Sequence, residues 1–488
     1  MSRERSELST AASGASGTGV YSFYLAGQWL TTPQVVDVIS PYDQRVVGRV
    51  SLAQPEHVEQ AIQAAEKAFA LTGKLAAFER QKALAKISAE LTVRAEEFAQ
   101  CLSAESGKPI RTARGEVGRA AFTFQYAAEE ATRSTGELLP LDALASSAGR
   151  LGLLRRVPLG AVAAITPFNF PLNLVAHKIA PAIAAGCSIV LKPATKTPMV
   201  ALMLADLVAR SGYPAEAVSV LPMSAETASP LIEDERFKLL TFTGSAEVGW
   251  ALKARAGKKK VALELGGNAG CIVHSDADLE KAVARLVTGS FAFAGQSCIS
   301  VQRILVERSV FEDFAGRFTA AAQKLRTGDP FEEHTDVGPM IRLEDAERAD
   351  RWIAEAVADG AKILCGGSRS GSLLAPTVLT GTKEHQRVNC DEIFAPVVTV
   401  EAYDDFGEAI ARMNRSRYGL QAGIFTRDIE RLRRAFDELE VGAVIAGDAP
   451  SFRIDHMPYG GVKDSGQGRE GIRYAMDEMT EPRLLVIA

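Results

Sequence analysis

From Gly160 onward the chain alternates between short apolar runs and segments long enough to form a helix, and this alternation constrains the fold more than any other feature. The apolar runs cover 161–165, 188–191, 218–221, 239–242 and 261–265, and the segments between them cover 171–185, 198–211, 225–234 and 245–256. Such a pattern predicts β-α-β units and a parallel sheet with helices on both faces. Because ligands bind at the carboxyl ends of strands in these sheets, the residues that follow each run are candidates for a site.

The flanking regions carry their own patterns. Apolar residues recur at helical spacing over 58–69 and 84–102, and short apolar runs on either side of 145–149 predict a hairpin within 138–158. After about residue 267 a second alternating region begins, with predicted helices over 279–287, 311–325 and 343–358 and predicted strands over 303–306, 362–364, 397–402 and 442–445. The apolar residues 483–487 predict a terminal strand whose free edge requires a cover, such as another subunit.

Composition excludes several classes of protein. Lys plus Arg number 55 and Asp plus Glu number 60, and the resulting net charge of −5 gives no support for a nucleic-acid partner. No apolar run reaches the roughly 20 residues of a membrane span, and residues 1–19 read as a flexible tail without the apolar core of a signal peptide. The 6 cysteines and 6 histidines form no ligand cluster, so we expect no metal and a cytoplasmic location.

One cysteine has surroundings that suit a reactive thiol. Cys298 lies in the segment Gly295-Gln296-Ser297-Cys298-Ile299-Ser300, whereas Cys187 and Cys271 border apolar strands. A nucleophilic thiol needs access and a stabilised thiolate, and small polar neighbours favour both. A glycine-flanked cysteine taken alone is more often structural, so the segment by itself leaves that alternative open.

Seven motifs, taken in order, resemble the aldehyde dehydrogenase superfamily from about residue 21 to the C-terminus. They are Pro167-Phe168-Asn169-Phe170-Pro171, Lys192-Pro193-Ala194, Phe242-Thr243-Gly244-Ser245, Glu264-Leu265-Gly266-Gly267, Gly295-Gln296-Ser297-Cys298, Glu392-Ile393-Phe394-Ala395-Pro396 and Pro458-Tyr459-Gly460-Gly461. The resemblance implies that superfamily's α/β fold, with a Rossmann-like cofactor domain, an α/β catalytic domain and a small β oligomerisation element. We expect the cofactor domain over 20–134 and 153–264, the catalytic domain over 265–465, and the bridging oligomerisation element over 135–152 and 466–488.

The resemblance also implies a reaction, the oxidation of an aldehyde to a carboxylic acid with hydride transfer to NAD or NADP. In that reaction the Cys298 thiolate attacks the carbonyl carbon, and the side-chain amide of Asn169 and the backbone N–H of Cys298 bind the oxyanion of the thiohemiacetal. Loss of hydride leaves a thioester, and a water activated by Glu264 hydrolyses it.

Cofactor contacts are implied in the same way: Lys192 at the adenosine ribose, Ser245 at the pyrophosphate and Glu392 at the nicotinamide ribose. The full expected set is Ile165, Thr166, Pro167, Phe168, Lys192, Ala194, Thr195, Gly244, Ser245, Val248, Leu265, Gly266, Glu392 and Phe394. Thr195 stands where many NAD-specific members carry a glutamate that repels a 2′-phosphate. We therefore expect NADP to be at least tolerated.

The expected substrate pocket combines residues after Asn169, around Cys298 and near the C-terminus. It consists of Arg114, Phe170, His177, Ser297, Ile299, Ser300 and His456, and its polar groups favour a small polar or acidic aldehyde. Taken without the resemblance, Arg114, Arg119 and Arg453 are interpreted as solvated or paired residues, and His177 and His456 as packing or surface residues. The G-x-G-x-x-G sequence at 466–471 lacks a preceding strand and a complete β-α-β unit, so we interpret it as a loop rather than a phosphate site.

Two alternative functions stay open at this point. The first is a CoA-acylating semialdehyde dehydrogenase, whose members lack the base that Glu264 supplies. The second is a non-catalytic dinucleotide-binding or structural protein on the same fold, against which Cys298, Asn169 and Glu264 together argue. For either enzyme we expect a homodimer or a homotetramer built from dimers, with a small aldehyde as the other partner.

Overall fold

The computed structural model describes residues 19–133 and 136–488, so the expected tail lies outside the described residues except for Gly19. The helices are α1 Pro55–Thr72, α2 Ala77–Val93, α3 Ala95–Ser106, α4 Ile110–Glu130, α5 Asn173–Ala185, α6 Met199–Ala209, α7 Ser229–Glu233, α8 Ala246–Arg255, α9 Leu279–Phe291, α10 Phe311–Ala322, α11 Leu343–Ala358, α12 Arg387–Cys390, α13 Phe406–Asn414, α14 Ile429–Glu438 and α15 Ile472–Glu478. None of the helices in these ranges has the length and apolar character needed to cross a bilayer.

The strands are β1 Val20–Tyr21, β2 Phe23–Leu25, β3 Gln28–Leu30, β4 Val35–Ile39, β5 Val46–Ser51, β6 Glu137–Pro140, β7 Leu151–Pro158, β8 Ala161–Ile165, β9 Ser188–Lys192, β10 Val218–Val220, β11 Phe237–Thr243, β12 Lys260–Glu264, β13 Ala269–Val273, β14 Val301–Glu307, β15 Lys362–Cys365, β16 Arg369–Ser370, β17 Leu373–Leu374, β18 Thr377–Thr380, β19 Val397–Tyr403, β20 Tyr418–Gly419, β21 Gln421–Phe425, β22 Ala443–Ala446, β23 Val462–Lys463, β24 Gly466–Gln467 and β25 Thr480–Ile487. They form two large sheets and several small ones.

The first large sheet has eight strands in the order β24-β12-β11-β8-β9-β10-β2-β3. Its central strands β12, β11, β8, β9 and β10 are parallel, which confirms the β-α-β pattern predicted from Gly160 onward. Residues 161–164 of β8 are buried and every residue of α5 is buried, as a parallel strand covered on both faces and its packed helix require. The outer strands β2, β3 and β24 run antiparallel to their neighbours.

The second large sheet has seven strands in the order β15-β18-β19-β14-β13-β21-β22, and all of its pairs except β15 with β18 are parallel. Strands β13 and β21 were not predicted from the sequence. Both contain a glycine at a close approach: a Cβ on Gly270 would lie 2.2 Å from the sulfur of Met413, and one on Gly423 would lie 2.7 Å from Pro450. Glycine weakens a strand signal, which explains why these segments gave none.

A third sheet has the order β25-β7-β6 and stands apart from the two large ones. It contains the predicted hairpin, because β6 and β7 pair antiparallel around the segment 141–150, and the predicted terminal strand, because β25 pairs with β7 along its whole length. Not all of the expected bridging element joins this sheet, since β24 pairs with β12 at the edge of the first sheet. The limits of the cofactor domain, the catalytic domain and the bridging element remain a prediction.

Candidate active site

The carboxyl ends of β8, β11 and β12 open onto a cavity of about 320 Å³. Ile165 ends β8 and precedes the predicted loop 166–170, Thr243 ends β11, and Glu264 ends β12. Because parallel strands end at one edge of a sheet, these three segments meet although 99 residues separate Ile165 from Glu264 in the sequence. The predicted site residues that line the cavity are Pro167, Phe168, Asn169, Phe170, Gly244, Ser245, Glu264, Leu265, Gly266, Ser297, Cys298, Ile299, Glu392 and Phe394.

The other expected cofactor residues lie at the same sheet edge but do not line this cavity. Lys192 at the end of β9 pairs with Ile165 in the sheet, and its carbonyl accepts a hydrogen bond from the N–H of Thr166. Ala194 and Thr195 lie two and three residues after Lys192, and Thr195 is exposed. Val248 lies on α8, with 47% of its surface exposed.

Four expected substrate residues do not reach the cavity. The Arg114 guanidinium points to the surface and pairs with Glu96 and Glu333. Ser300 donates its hydroxyl hydrogen bond to backbone carbonyls of α9, and the ring of His456 packs against Tyr126, with 5.1 Å between ring centroids.

His177, the fourth of these residues, is fully buried behind the cavity wall. Its Nε2 lies 2.9 Å from an oxygen of Asp455. Burial lowers the pKa of His177, with a further contribution from nearby Arg453, so the ring favours its neutral form. The residue supports the wall of the cavity instead of contacting a molecule inside it.

Cys298 is half-buried in the floor of the cavity, and its sulfur lies 2.9 Å from the hydroxyl oxygen of Tyr459. Burial raises the pKa of the Cys298 thiol to about 12, although Tyr459 and Arg453 act in the opposite direction. The thiol is the only one of the six that lines this cavity, and all six cysteines are free.

Asn169 directs its side-chain amide toward the segment that contains Cys298. Its Nδ2 donates a hydrogen bond of 3.1 Å to the carbonyl of Gln296, and its Oδ1 accepts one from the N–H of Phe170. One of the two amide hydrogens therefore remains for a molecule in the cavity. Among the described residues the N–H of Cys298 has no hydrogen-bond partner, so two donors are free beside the thiol.

Glu264 lies opposite the thiol, and its Oε2 is buried without a hydrogen-bond partner among the described residues. Burial and the nearby carboxylate of Glu470 raise the pKa of Glu264 well above its usual range. Glu470 itself forms buried ion pairs with Lys178, at 2.6 Å, and with Arg453, at 2.8 Å. Burial opposes its ionisation, but these two cations outweigh burial and hold the pKa of Glu470 below its usual range. The two carboxyl groups thus favour opposite protonation states.

Comparison with known proteins identifies the family and the fold. The family model described as the aldehyde dehydrogenase family matches residues 29–485. The chain belongs to this family. It is 46% identical to the 3-sulfolactaldehyde dehydrogenase of Priestia megaterium over 468 residues, which are 96% of this chain and 98% of that protein.

Two solved structures support the same family and the same fold. The crystal structure of aldehyde dehydrogenase 21 from Physcomitrella patens in complex with the reaction product succinate has a TM-score of 0.95 and 47% identity, over 96% of this chain and 98% of that one. The crystal structure of glyceraldehyde-3-phosphate dehydrogenase from Methanocaldococcus jannaschii complexed with NADP has a TM-score of 0.90 and 40% identity, over 93% of this chain and 100% of that one. The chain is therefore an NAD(P)-dependent aldehyde dehydrogenase with the expected fold.

The residues of this aldehyde dehydrogenase fit a nicotinamide dinucleotide. Ser245 caps α8 without using its side chain, so its hydroxyl and the first N–H groups of that helix are available to phosphates. Glu392 accepts a hydrogen bond of 2.8 Å from the N–H of Gly267, and a Cβ on Gly266 would lie 2.3 Å from the same carboxylate. Burial raises the pKa of Glu392 to about 7. A side chain at Gly266 would therefore displace the Glu392 carboxylate from its present position beside the backbone.

Several residues that line the cavity were not predicted as site residues: Arg119, Asn173, Leu174, Thr243, Arg348, Ser451, Arg453, Tyr459 and Glu470. Tyr459 and Glu470 stood inside or beside motifs that the sequence analysis quoted, the first in Pro458-Tyr459-Gly460-Gly461 and the second in the glycine-rich segment 466–471. Three of these residues are arginines, and none of Arg119, Arg348 and Arg453 gave a local signal. They are the main addition that the structure makes to the site.

Proposed function

We propose that this aldehyde dehydrogenase oxidises a small aldehyde that carries an anionic substituent, with Cys298 as the nucleophile. The observation that carries the proposal is the presence of two arginines, Arg119 and Arg453, in the wall of the cavity that contains Cys298. A neutral alkyl aldehyde such as butanal has no anionic group to accept charge-assisted hydrogen bonds from two guanidinium groups. A carboxylate or sulfonate on a short chain provides acceptors for both.

Each arginine keeps hydrogen-bond donors for a ligand. Arg453 binds Glu470 through Nη2, while its buried Nε has no partner among the described residues. Arg119 binds Asp455 through Nε and Nη2, and no described residue accepts a hydrogen bond from its Nη1. Because the Arg453 Nε is buried, its lack of a partner costs about 1–3 kcal/mol, and an anion that accepts a hydrogen bond from it gains that free energy on binding.

Relatives with anionic substrates support this substrate class. The name 3-sulfolactaldehyde dehydrogenase describes an aldehyde with a sulfonate, and the succinate in the Physcomitrella patens structure is a product with a second carboxylate. Both molecules have a short chain with one reacting carbon and one anionic end.

The acylation step uses the two free donors beside Cys298. The thiolate attacks the carbonyl carbon, and the oxygen that gains the negative charge lies near Asn169 Nδ2 and the N–H of Cys298. Donors aimed at such an oxyanion contribute about 3–4 kcal/mol each. When bound, the nicotinamide accepts the hydride. Glu392 and Phe394 line the part of the cavity that it would occupy.

Glu264 has a separate role in this proposal, in the hydrolysis of the thioester. Once Glu264 has lost its own proton, its unpartnered Oε2 can accept a proton from a water that attacks the acyl carbon. Transfer to CoA instead of water would need no such base, so Glu264 supports the hydrolytic reaction over the CoA-acylating alternative. A buried nucleophile, two donors and a base in one cavity also argue against a purely structural protein.

Two further expectations belong to this proposal. The exposed Thr195 after β9 offers no carboxylate against a 2′-phosphate, so we propose that the enzyme accepts NADP as well as NAD. The exposed apolar residues of β25, which include Leu484, Leu485 and Val486, lie on an edge strand, and we propose that a second copy of the chain covers them.

The experiment compares matched aldehydes by the absorbance of the reduced nicotinamide, with both cofactors. We expect higher kcat/KM for succinate semialdehyde than for butanal, and acid product without CoA. Arg119→Gln should lower kcat/KM for the anionic aldehyde by about tenfold to a hundredfold, which corresponds to about 1.5–3 kcal/mol. The same variant should change kcat/KM for butanal little. Arg114→Gln, on the same helix but outside the cavity, is the matched control. Equal losses for both aldehydes in the Arg119 variant would contradict the proposal.

A further inference from the structure

The sulfur of Cys298 has one hydrogen-bond partner among the described residues, and that partner belongs to neither the oxyanion donors nor Glu264. It is the hydroxyl of Tyr459, at 2.9 Å from oxygen to sulfur. Tyr459 reaches the site from a segment 161 residues further along the chain. The contact is therefore a product of the fold and not of local sequence.

The ring of Tyr459 is held on every side, so the hydroxyl has a fixed position. The side chain is 3% exposed and packs with Ile299 and Leu420. Its backbone pairs with that of Glu470 through two hydrogen bonds, of 3.0 and 2.6 Å. A phenol that is fixed in this way holds its hydroxyl oxygen at one point, within hydrogen-bond distance of the reacting sulfur.

A cation lies on the face of the same ring. The guanidinium carbon of Arg453 is 3.7 Å from the ring centroid, and Glu470 holds the guanidinium in place. A cation over an aromatic face draws electron density from the ring, which makes the phenol a stronger hydrogen-bond donor. Burial raises the pKa of Tyr459 well above its usual range, so the hydroxyl keeps its proton and can donate it in a hydrogen bond.

We propose that Tyr459 is a further catalytic residue, whose hydroxyl donates a hydrogen bond to the Cys298 thiolate and stabilises it before the attack on the aldehyde. The inference rests on the proposed function, in which Cys298 is the nucleophile. The carboxyl groups of Glu264 and Glu392 also lie near the sulfur, and each disfavours the thiolate when it is ionised. Tyr459 and Arg453 are the groups around the sulfur that favour it.

The hydrogen bond matters most before the reaction. As the sulfur–carbon bond forms, the carbonyl π electrons move to oxygen and the sulfur loses its negative charge. Removal of the hydroxyl therefore lowers the fraction of thiolate, while each remaining thiolate becomes more nucleophilic. The logarithm of thiolate reactivity increases by about 0.4–0.5 for each unit of thiol pKa. At pH values below the pKa, a rise of about one unit in the thiol pKa therefore slows alkylation by about threefold.

The test is alkylation of Cys298 by iodoacetamide as a function of pH, measured on the intact enzyme by mass spectrometry of the peptide that contains Cys298. In Tyr459→Phe we expect alkylation at neutral pH to slow by about threefold, with the apparent thiol pKa raised. Cys390, which is partly exposed and distant from Tyr459 in the sequence, provides an internal control whose profile stays unchanged. Tyr403→Phe removes another buried hydroxyl, at 2.8 Å from His274, and should leave Cys298 unchanged.

A second variant keeps the test decisive if Tyr459→Phe does not fold. Site-specific Tyr459→3,5-difluorotyrosine makes the phenol a stronger donor, so the apparent thiol pKa should fall and alkylation at neutral pH should accelerate. An unchanged Cys298 profile in a folded variant overturns the inference. Alkylation does not depend on turnover, so the two failures can be told apart. If the proposed function fails, no aldehyde yields reduced nicotinamide, but wild type and variant still differ in the alkylation of Cys298. If the inference fails, the enzyme turns over aldehyde, but wild type and variant are alkylated at the same rate.

Discussion

The guanidinium of Arg119 makes two hydrogen bonds to the carboxylate of Asp455, 3.1 Å from Nε and 2.6 Å from Nη2, and joins residues that are 336 positions apart. The same carboxylate accepts hydrogen bonds from Asn173 and lies 2.9 Å from His177. Burial opposes ionisation of Asp455, but His177 and Arg119 outweigh it and hold its pKa well below the usual range. One carboxylate therefore fixes the arginine that we assign to the substrate.

Asp455→Asn should destabilise the protein. We expect a loss of about 2–3 kcal/mol, less than the about 3–5 kcal/mol of a fully buried pair because a third of Arg119 is exposed. A carboxyl whose pKa is lower in the folded state stabilises the fold above its unfolded pKa near 4 and loses this effect as pH falls. Thermal unfolding should show a gap between wild type and variant that is full at pH 7 and narrows below pH 4.

Asp359→Asn is the control for this variant, since Asp359 pairs with Lys383 at the surface, where both side chains are about half exposed. We expect little change in its unfolding midpoint. If Asp455→Asn unfolds like the surface variant at pH 7, the carboxylate does not have the structural role that its contacts indicate.

Glu264→Gln should separate acylation from hydrolysis. The thiol and the oxyanion donors stay in place, so a first equivalent of reduced nicotinamide should form for each subunit. The steady-state rate should then fall by about 10²–10⁴-fold, because the thioester has lost its general base. Stopped-flow absorbance measures both phases, and Cys298→Ala should show neither. A variant with wild-type turnover after the first equivalent would exclude Glu264 as the base.

The parallel sheet and the three central site residues were predictable from the sequence because their signals are local. Glu264 lies at the end of one predicted strand, Asn169 lies four residues after the end of another, and Cys298 lies among glycine and small polar residues. A parallel sheet brings such strand ends together whatever their distance in the sequence. The motif resemblance then assigned their expected roles.

The substrate arginines were not predictable in the same way. Arg114 and Arg119 lie on one helix, and five residues of an α-helix turn by about 500°, so the two side chains point about 140° apart. Periodicity does not show which of the two arginines faces the cavity. The orientation of Arg119 depends on its hydrogen bonds to Asp455, which comes from a distant segment. The sequence analysis therefore selected Arg114, whose partners Glu96 and Glu333 lie at the surface.

The pH dependence of the wild-type enzyme should reflect the buried thiol. Burial raises the pKa of Cys298 to about 12 and raises that of Glu264, so both groups hold a proton at neutral pH before substrate binds. Since the thiolate is the nucleophile, kcat/KM should increase with pH from 6 to 9 by up to about tenfold per unit. Kinetics in buffers of constant ionic strength check this. A plateau between pH 6 and 8 would show that cofactor or substrate lowers the thiol pKa.

Thr195→Glu should change the choice of cofactor. A carboxylate at this exposed position after β9 repels a 2′-phosphate, so kcat/KM with NADP should fall relative to that with NAD by about tenfold or more. Thr92→Glu adds the same charge to an exposed position on α2 and should leave the ratio unchanged. An unaltered ratio in the Thr195 variant would place the 2′-phosphate elsewhere.

Leu485→Asp should disrupt self-association. Leu485 is 58% exposed on β25, an edge strand whose opposite side is already paired with β7, so the free edge and its apolar side chains have only another molecule to pair with. A charge in the buried core of an interface is costly unless it is paired, and the variant should therefore dissociate to smaller species in size-exclusion chromatography with light scattering. Val93→Asp, at a position that is 85% exposed at the end of α2, provides the matched control and should keep the wild-type mass. If both variants keep it, the subunits associate through another surface and β25 remains open in the assembly.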